Sequence, residues 1–294
     1  MVGYRGWKHA LWVAFFLLPS LGGLLLFTGI PILSSLGLTL YEWDLLTPPQ
    51  FVGLDNFRKL ATDPTFWESL THTLFFIAGY IPLVMVLALG VALLLNRKLP
   101  GIAVFRTAFF IPVVSAWVAV ALIWQWLLNP QYGIFNYLLS FVGIKGPAWL
   151  FDPQWAMPAI IMTSVWKDIG FVMVMYLAGL QGIPQEYRDA AAIDGASGWQ
   201  RFRYITLPLL SPTTFFALTI SLINSFQVFD QVWIMTGGGP AGATTVLVEQ
   251  IVKNAFSYSN MGYASALSWV LFAIVFSVTL LQNRMQKRWV TYDT

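Results

Sequence analysis

Six apolar stretches dominate the chain, near residues 11–40, 70–95, 104–128, 155–180, 207–235 and 263–283. A helix crossing the hydrocarbon core of a bilayer needs about 20 largely apolar residues at roughly 1.5 Å rise each. All six stretches meet that length. Water does not reach the bilayer core, so backbone N–H and C=O groups there must be bonded internally, and a helix bonds them within its own segment. The pattern predicts an all-α polytopic bundle with six transmembrane helices, forming a single transmembrane domain over residues 1–294. The chain is 57% hydrophobic and 10% charged, whereas ordinary soluble domains carry about 25% charge. That is too little charge to cover a water-soluble globule, so a soluble enzyme is excluded. No dense basic run is available to neutralise phosphates, which excludes nucleic acid as a partner. The absence of cysteine removes disulfides, thiolate metal sites and cysteine nucleophiles. His9 and His72 are the two histidines, and no metal centre is expected from them. Residues 11–40 run apolar for too long to be a cleaved leader and show no small-x-small site before polar sequence. They are expected to be a retained first helix in contact with membrane lipid.

Six spans put both termini on one side, and Lys and Arg decide which side. One set of loops and the termini carries Arg5, Lys8, Arg97, Lys98, Arg106, Arg188, Arg201, Arg203, Arg284, Lys287 and Arg288. The other set carries Arg58, Lys59, Lys145 and Lys253, together with most of the acids. The expectation is a multi-pass protein of the cytoplasmic membrane with both termini cytoplasmic. The outer loops are too short to hold a folded domain. There is no G-x-x-x-x-G-K-[ST] loop, so the chain is not expected to bind or hydrolyse ATP itself.

The cytoplasmic loop 182–206 is the most informative segment. Pro184 suits a helix start, because its missing N–H would be unpaired there. Glu186 and Asp189 place negative charge near the positive end of the helix dipole. Alanines follow, and Gly195 is a natural stop. The expected helix has about three turns, roughly 16 Å. Tyr187, Ala190, Ala191 and Asp194 fall at i, i+3, i+4 and i+7 and share one small, flat face. By pattern alone, an interfacial linker helix resting on headgroups is an equal reading. The spacing goes further. Asp189-Ala190-Ala191 is followed after three residues by Gly195, and nine residues later by Ile205-Thr206-Leu207-Pro208. This resembles the E-A-A, three residues, Gly, nine residues, I-x-L-P loop signature of binding-protein-dependent ABC importers, with Asp189 standing for the usual Glu. Leu177–Gln181, Thr236-Gly237-Gly238-Gly239-Pro240, Phe51–Phe57 and Ile111-Pro112 are similar to the sugar-importing branch. The resemblance covers most of the chain. It is to the maltose- and glycerol-phosphate-type permease, in its six-span form and as the first of two permease subunits. The extra spans and large extracellular domain of the maltose permease have no counterpart here.

The resemblance implies the ABC type I importer permease fold and a division of labour. Two permease subunits form one pathway. Two ATPase subunits bind ATP and Mg, and an extracytoplasmic solute-binding protein delivers the sugar. The loop helix would be the coupling helix, with Glu186, Asp189, Ala190, Ala191, Asp194 and Gly195 meeting an ATPase groove.

Ionisable residues at bilayer depth are costly and often functional. Lys167 and Asp168 fall near the centre of the fourth stretch, Asp230 in the outer half of the fifth. Lys167 and Asp168 are adjacent, so they do not face each other on a helix, and each needs a separate partner. Asn224, Gln227 and Gln231 fall at i, i+3 and i+7 of the fifth stretch and share one stripe. Asn224 and Gln227 then lie level with Asp168, with Asp230 about 12 Å further out. Trp166 and Phe171 flank the charged pair. Polar side chains can match sugar hydroxyls while aromatic rings stack on apolar sugar faces. The competing reading is a set of interhelix hydrogen bonds that hold the bundle together. What the resemblance implies for a sugar pathway falls on Trp117, Asp168, Gly170, Met173, Asn224, Ser225 and Gln227, to which position adds Trp166 and Asp230. His72 reads as a membrane-edge residue, and Gly22-Gly23 and Gly79 read as points of close helix approach. A stand-alone secondary transporter of sugar or ions is the alternative function. A membrane-embedded enzyme would need paired acids with a base, or a metal cluster. A structural adaptor would not need midplane charges.

Overall fold

The computed structural model describes residues 6–97 and 100–290, without the side chains of residues 8–10, 188 and 288. Of the residues used for orientation, Arg5 and Lys98 therefore lie outside the described residues, as do the side chains of Lys8, Arg188 and Arg288. The side chain of His9 lies outside them too. The chain forms two compact units, Met1–Asp63 with Ile251–Val270, and Pro64–Gln250 with Leu271–Thr294. Among the described residues almost all regular structure is helical, with one two-residue strand pair.

In the first unit, helix α1 (Leu11–Leu38) is long and apolar enough to span a membrane. Its turn at Leu25–Gly29 widens to π geometry immediately before Pro31. Proline lacks an N–H and its ring presses on the carbonyl four residues back, so the widened turn accommodates it. None of the apolar window of α1 is buried within the chain. Among the described residues of this chain, a Cβ at Gly22 or Gly23 would meet nothing within 4 Å. After α1, Tyr41–Glu42 pairs antiparallel with Gln50–Phe51. The buried Asn56 amide ties this turn down by donating to the carbonyls of Thr39 and Tyr41 at 2.9 and 3.0 Å.

The second unit holds the spans within Pro64–Gln250 and the later part of the last helix. Helices α2 (Pro64–Leu95) and α5 (Pro153–Gly182) pack along each other and form its centre. The apolar window of α5 is 67% buried, which makes it the hub. Asp152 caps α5 by accepting from the Gln154 N–H at 2.8 Å, and Pro153 opens the helix where no donor is needed. Gly79 of α2 lies against Ile161 of α5 so closely that a Cβ would collide, as expected for a close approach.

The stretch read as one span near 104–128 is two helices, α3 (Ile102–Val114) and α4 (Trp117–Leu127), at 101° to each other. Pro112 withdraws one donor, and Ser115 and Ala116 are extended. Helix-end carbonyls in an apolar surround need partners. The Ser115 hydroxyl donates to the Ile111 carbonyl at 3.1 Å, and the Ser115 N–H to Pro112 at 3.3 Å. Lys167 of α5 donates to the Val113 carbonyl at 3.1 Å. The stretch read near 207–235 is also broken. The helical segment Gly198–Leu209 bends by 62° into α7 (Ser211–Phe226), with Pro208 and Pro212 around the joint. α7 stops at Phe226, and the short α8 (Asp230–Met235) restarts the chain. Between α5 and this segment lies α6 (Gln185–Ile193). The last helix, α9, runs Met261–Trp289. Among the described residues, four helices are long and apolar enough to cross a membrane, or up to six spans if each bent pair counts as one.

Candidate functional site

A polar cavity of about 340 Å³ lies between α2, α4, α5 and the α7–α8 break. Trp117, Asp168, Asn224, Ser225, Gln227 and Asp230 all line it. Trp117 opens α4 because the chain breaks at Ser115. Asp168 projects from the middle of α5. Asn224 and Ser225 are on the last turn of α7, and Gln227 lies in the break itself. That break changes the geometry inferred from a continuous helix. The 12 Å offset of Asp230 no longer applies, and Gln231, although it also lines the cavity, differs from Asn224 and Gln227 in its bonding. Gln231 is buried and donates to the Ser164 hydroxyl of α5 at 3.3 Å, an interhelix bond.

Lys167 and Asp168 do have separate partners. Asp168 accepts from the Tyr80 hydroxyl of α2 at 2.9 Å. Lys167 is buried, sits over the Trp117 ring at 4.9 Å from its centroid, and caps the carbonyl end of α3. A cation is favoured at that negative end of the helix dipole and over an aromatic face. Lys167 does not line the cavity. Among the described residues the lining therefore holds two carboxyl groups, three amides and aromatic rings, and no Lys, Arg or His. Asn224, Gln227 and Asp230 are exposed to the cavity, and among the described residues their side chains make no hydrogen bond. Ser225 is 2% exposed and spends its hydroxyl on the Leu222 carbonyl at 2.8 Å.

Three residues expected in the pathway lie elsewhere. Met173 is fully buried in the hydrophobic core. Gly170 is a packing residue, since a Cβ there would strike the Phe109 carbonyl of α3. Trp166 packs edge-on to Trp124 at 5.4 Å and lines a different cavity of about 660 Å³. That larger cavity, between α2, α3 and α5, is walled by apolar and aromatic side chains and offers little to orient a polar solute. Sequence reasoning missed Phe76, Tyr80 and Phe229 on the polar cavity's wall. Phe76 and Tyr80 stack at 5.3 Å. Tyr80 is the sole tyrosine of the 70–95 stretch, and that hydroxyl in an apolar run was a readable signal.

The loop expected to couple is built locally. Pro184 is the N-cap of α6 rather than its first turn, so the nine-residue helix is about 14 Å long. Gln185 donates to the Asp189 carboxylate at 3.0 Å. Glu186, Asp189, Ala190, Asp194 and Gly195 are exposed and Ala191 is half-buried. Gly195 has φ +75°. Its N–H bonds the Ala192 carbonyl at 3.2 Å, and the Ala196 N–H bonds Ala191 at 2.9 Å. This pair of bonds is the Schellman stop, which a left-handed glycine permits. The Ser197–Gln200 capping box then starts the next helical segment. His72 contacts the Thr245 carbonyl through Nδ1 at 3.1 Å, a structural tie to the glycine-rich segment's end.

Comparison with known proteins agrees with this architecture. The chain is 39% identical over 284 residues to the probable ABC transporter permease protein YesP of Bacillus subtilis, covering 95% of this chain and 91% of that one. It is 37% identical over 266 residues to the trehalose/maltose transport system permease protein MalF of Thermococcus litoralis, covering 90% of each. Among solved structures it is similar to a bacterial ABC transporter involved in the import of the acidic polysaccharide alginate. There the TM-score is 0.84 at 25% identity, over 96% of each chain. Residues 10–291 match the family described as the binding-protein-dependent transport system inner membrane component. The chain therefore belongs to that family, as a multi-pass permease with the type I importer fold.

Proposed function

We propose that this chain is the first of two permease subunits in an ATP-driven importer of a sugar or related carbohydrate. The solute is delivered by an extracytoplasmic binding protein, and two ATPase subunits bind ATP and Mg. Both termini face the cytoplasm, and α6 docks on an ATPase. Closure of the ATPase dimer would draw two docked helices together and pivot the spans as rigid bodies between inward- and outward-open states. Asn224, Gln227 and Asp230 contact the solute, with Asp168, Ser225 and the rings of Trp117 and Tyr80 completing the wall.

The observation that carries this reading is the unbonded polar set, Asn224, Gln227 and Asp230, gathered with aromatic rings in one cavity. Interhelix glue would spend those groups on neighbouring helices, as Gln231 does on Ser164. The lining also suits a hydroxyl-rich solute without acidic groups, because anion recognition calls on Arg or Lys. Reconstitution with the second permease, the ATPase and the binding protein tests the proposal. Labelled sugar uptake should require ATP and the binding protein. Uptake that persists without the ATPase subunits would instead identify a secondary transporter.

A further inference from the structure

A second polar cavity, of about 340 Å³, lies beside the ends of α2 and α5. Leu93 of α2, Leu180 of α5 and Phe202 form apolar wall, and Asn96, Arg97 and Arg201 stand among them. Among the described residues no acid lines this cavity. Among the described residues, neither arginine forms an ion pair. Two guanidinium groups at the ends of membrane helices are a strong site for phosphate, which they bind by paired N–H donors. Trp199 and Tyr204, on either side of Arg201 in sequence, are 70% and 75% exposed. Such rings settle at headgroup level in a bilayer.

A free phosphate would use the arginines and leave the apolar wall unfilled. A phospholipid uses both. Basic pockets between transmembrane helices recognise acidic headgroups in this way. A zwitterionic headgroup fits less well, since its ammonium would find no carboxylate in the lining and two cations nearby. We propose that this cavity binds an anionic phospholipid, with Arg97 and Arg201 holding the headgroup phosphate and Leu93, Leu180 and Phe202 receiving the first part of an acyl chain. The site requires only that the chain spans a membrane, and it is independent of the transported solute. Its lining residues Leu180 and Gly198 flank α6 in sequence, so a lipid would brace the segments on either side of that helix.

The test is native mass spectrometry of the complete transporter released from vesicles of equal phosphatidylglycerol and phosphatidylcholine. The wild-type complex should retain phosphatidylglycerol over phosphatidylcholine. Arg97→Gln and Arg201→Gln should each weaken that retention roughly five-fold, and the double variant by about the product. Equal retention of the two lipids by the wild type, or undiminished retention by the double variant, would overturn the proposal. So would displacement of the lipid by millimolar inorganic phosphate, which would make the ligand a free anion. Loss of the ATPase subunits with lipid retained would assign the arginines to a protein contact instead. Should the double variant not assemble, Arg97→Gln alone carries the same test, because the Arg97 side chain is exposed.

Discussion

Substitution of Gly195 offers the sharpest separation of backbone conformation from side-chain size in the loop 182–206. Gly195 holds φ +75° at the stop of α6, and a Cβ added there meets nothing within 4 Å. The cost of any side chain is therefore conformational. For an L-residue in the left-handed region it is about 1–2 kcal/mol, a roughly 5–30-fold loss of the native stop. Gly195→Ala and Gly195→Val should be similarly impaired in this respect. Gly195→Asn should be milder, because asparagine tolerates the left-handed region. The readout is sugar-stimulated ATPase activity of the purified complex, alongside its assembly by size-exclusion chromatography. The expected result is an assembled complex in which Ala and Val uncouple hydrolysis from sugar and Asn largely preserves coupling. If Val is far worse than Ala, and Asn no better than Ala, then bulk against a docked partner governs the position and the backbone argument fails. Wild-type coupling in all three would remove the docking role altogether.

The cavity gives further tests. Asn224→Ala should lower uptake while leaving the melting temperature unchanged, since the Asn224 amide bonds nothing among the described residues; a matching fall in thermal stability would restore the interhelix-bond reading. Asp168→Ala should lower uptake and also destabilise the protein by about 1–3 kcal/mol, because the buried Tyr80 hydroxyl loses its acceptor. Asp168→Asn, which retains an acceptor, should recover most of the stability in thermal melts. Lys167→Met should shift thermal stability with little change in the sugar KM, because the ammonium caps the Val113 carbonyl outside the cavity; a large KM change would place it in the pathway. Gly170→Ala should cost about 1–3 kcal/mol or more and reduce the yield of assembled complex, as the Phe109 backbone cannot yield to a methyl group.

Legibility in the sequence followed the range of the forces involved. Hydropathy acts over about 20 residues, so the apolar stretches and the all-helical membrane class could be read directly. The stop of α6 was equally local: Gly195 and its neighbours satisfy carbonyls only three to five residues back. The break at Ser115–Ala116 was not legible, because a single Ser115 barely lowers the hydropathy and membrane helices tolerate a proline such as Pro112. What stabilises the break is Lys167, donated by another helix to Val113, 54 residues away in sequence. The end of α7 at Phe226 falls within the polar run from Asn224 to Gln231, which fits one stripe of a continuous helix as well as it fits a break, yet the break frees Gln227 and re-aims Asp230.

Residue chemistry alone therefore determined that this chain lives in a membrane, that it is helical, and where its short loop helix ends. Tertiary packing decided what each midspan polar residue does. Asn224 faces a cavity, Gln231 bonds Ser164, Asp168 accepts from a tyrosine 88 residues away, and Gly170 and Met173 are packing. A polar side chain in a helix carries the same local signature in all of these roles. The difference is the partner that another helix brings to it, and that partner is set by packing rather than by neighbours in sequence.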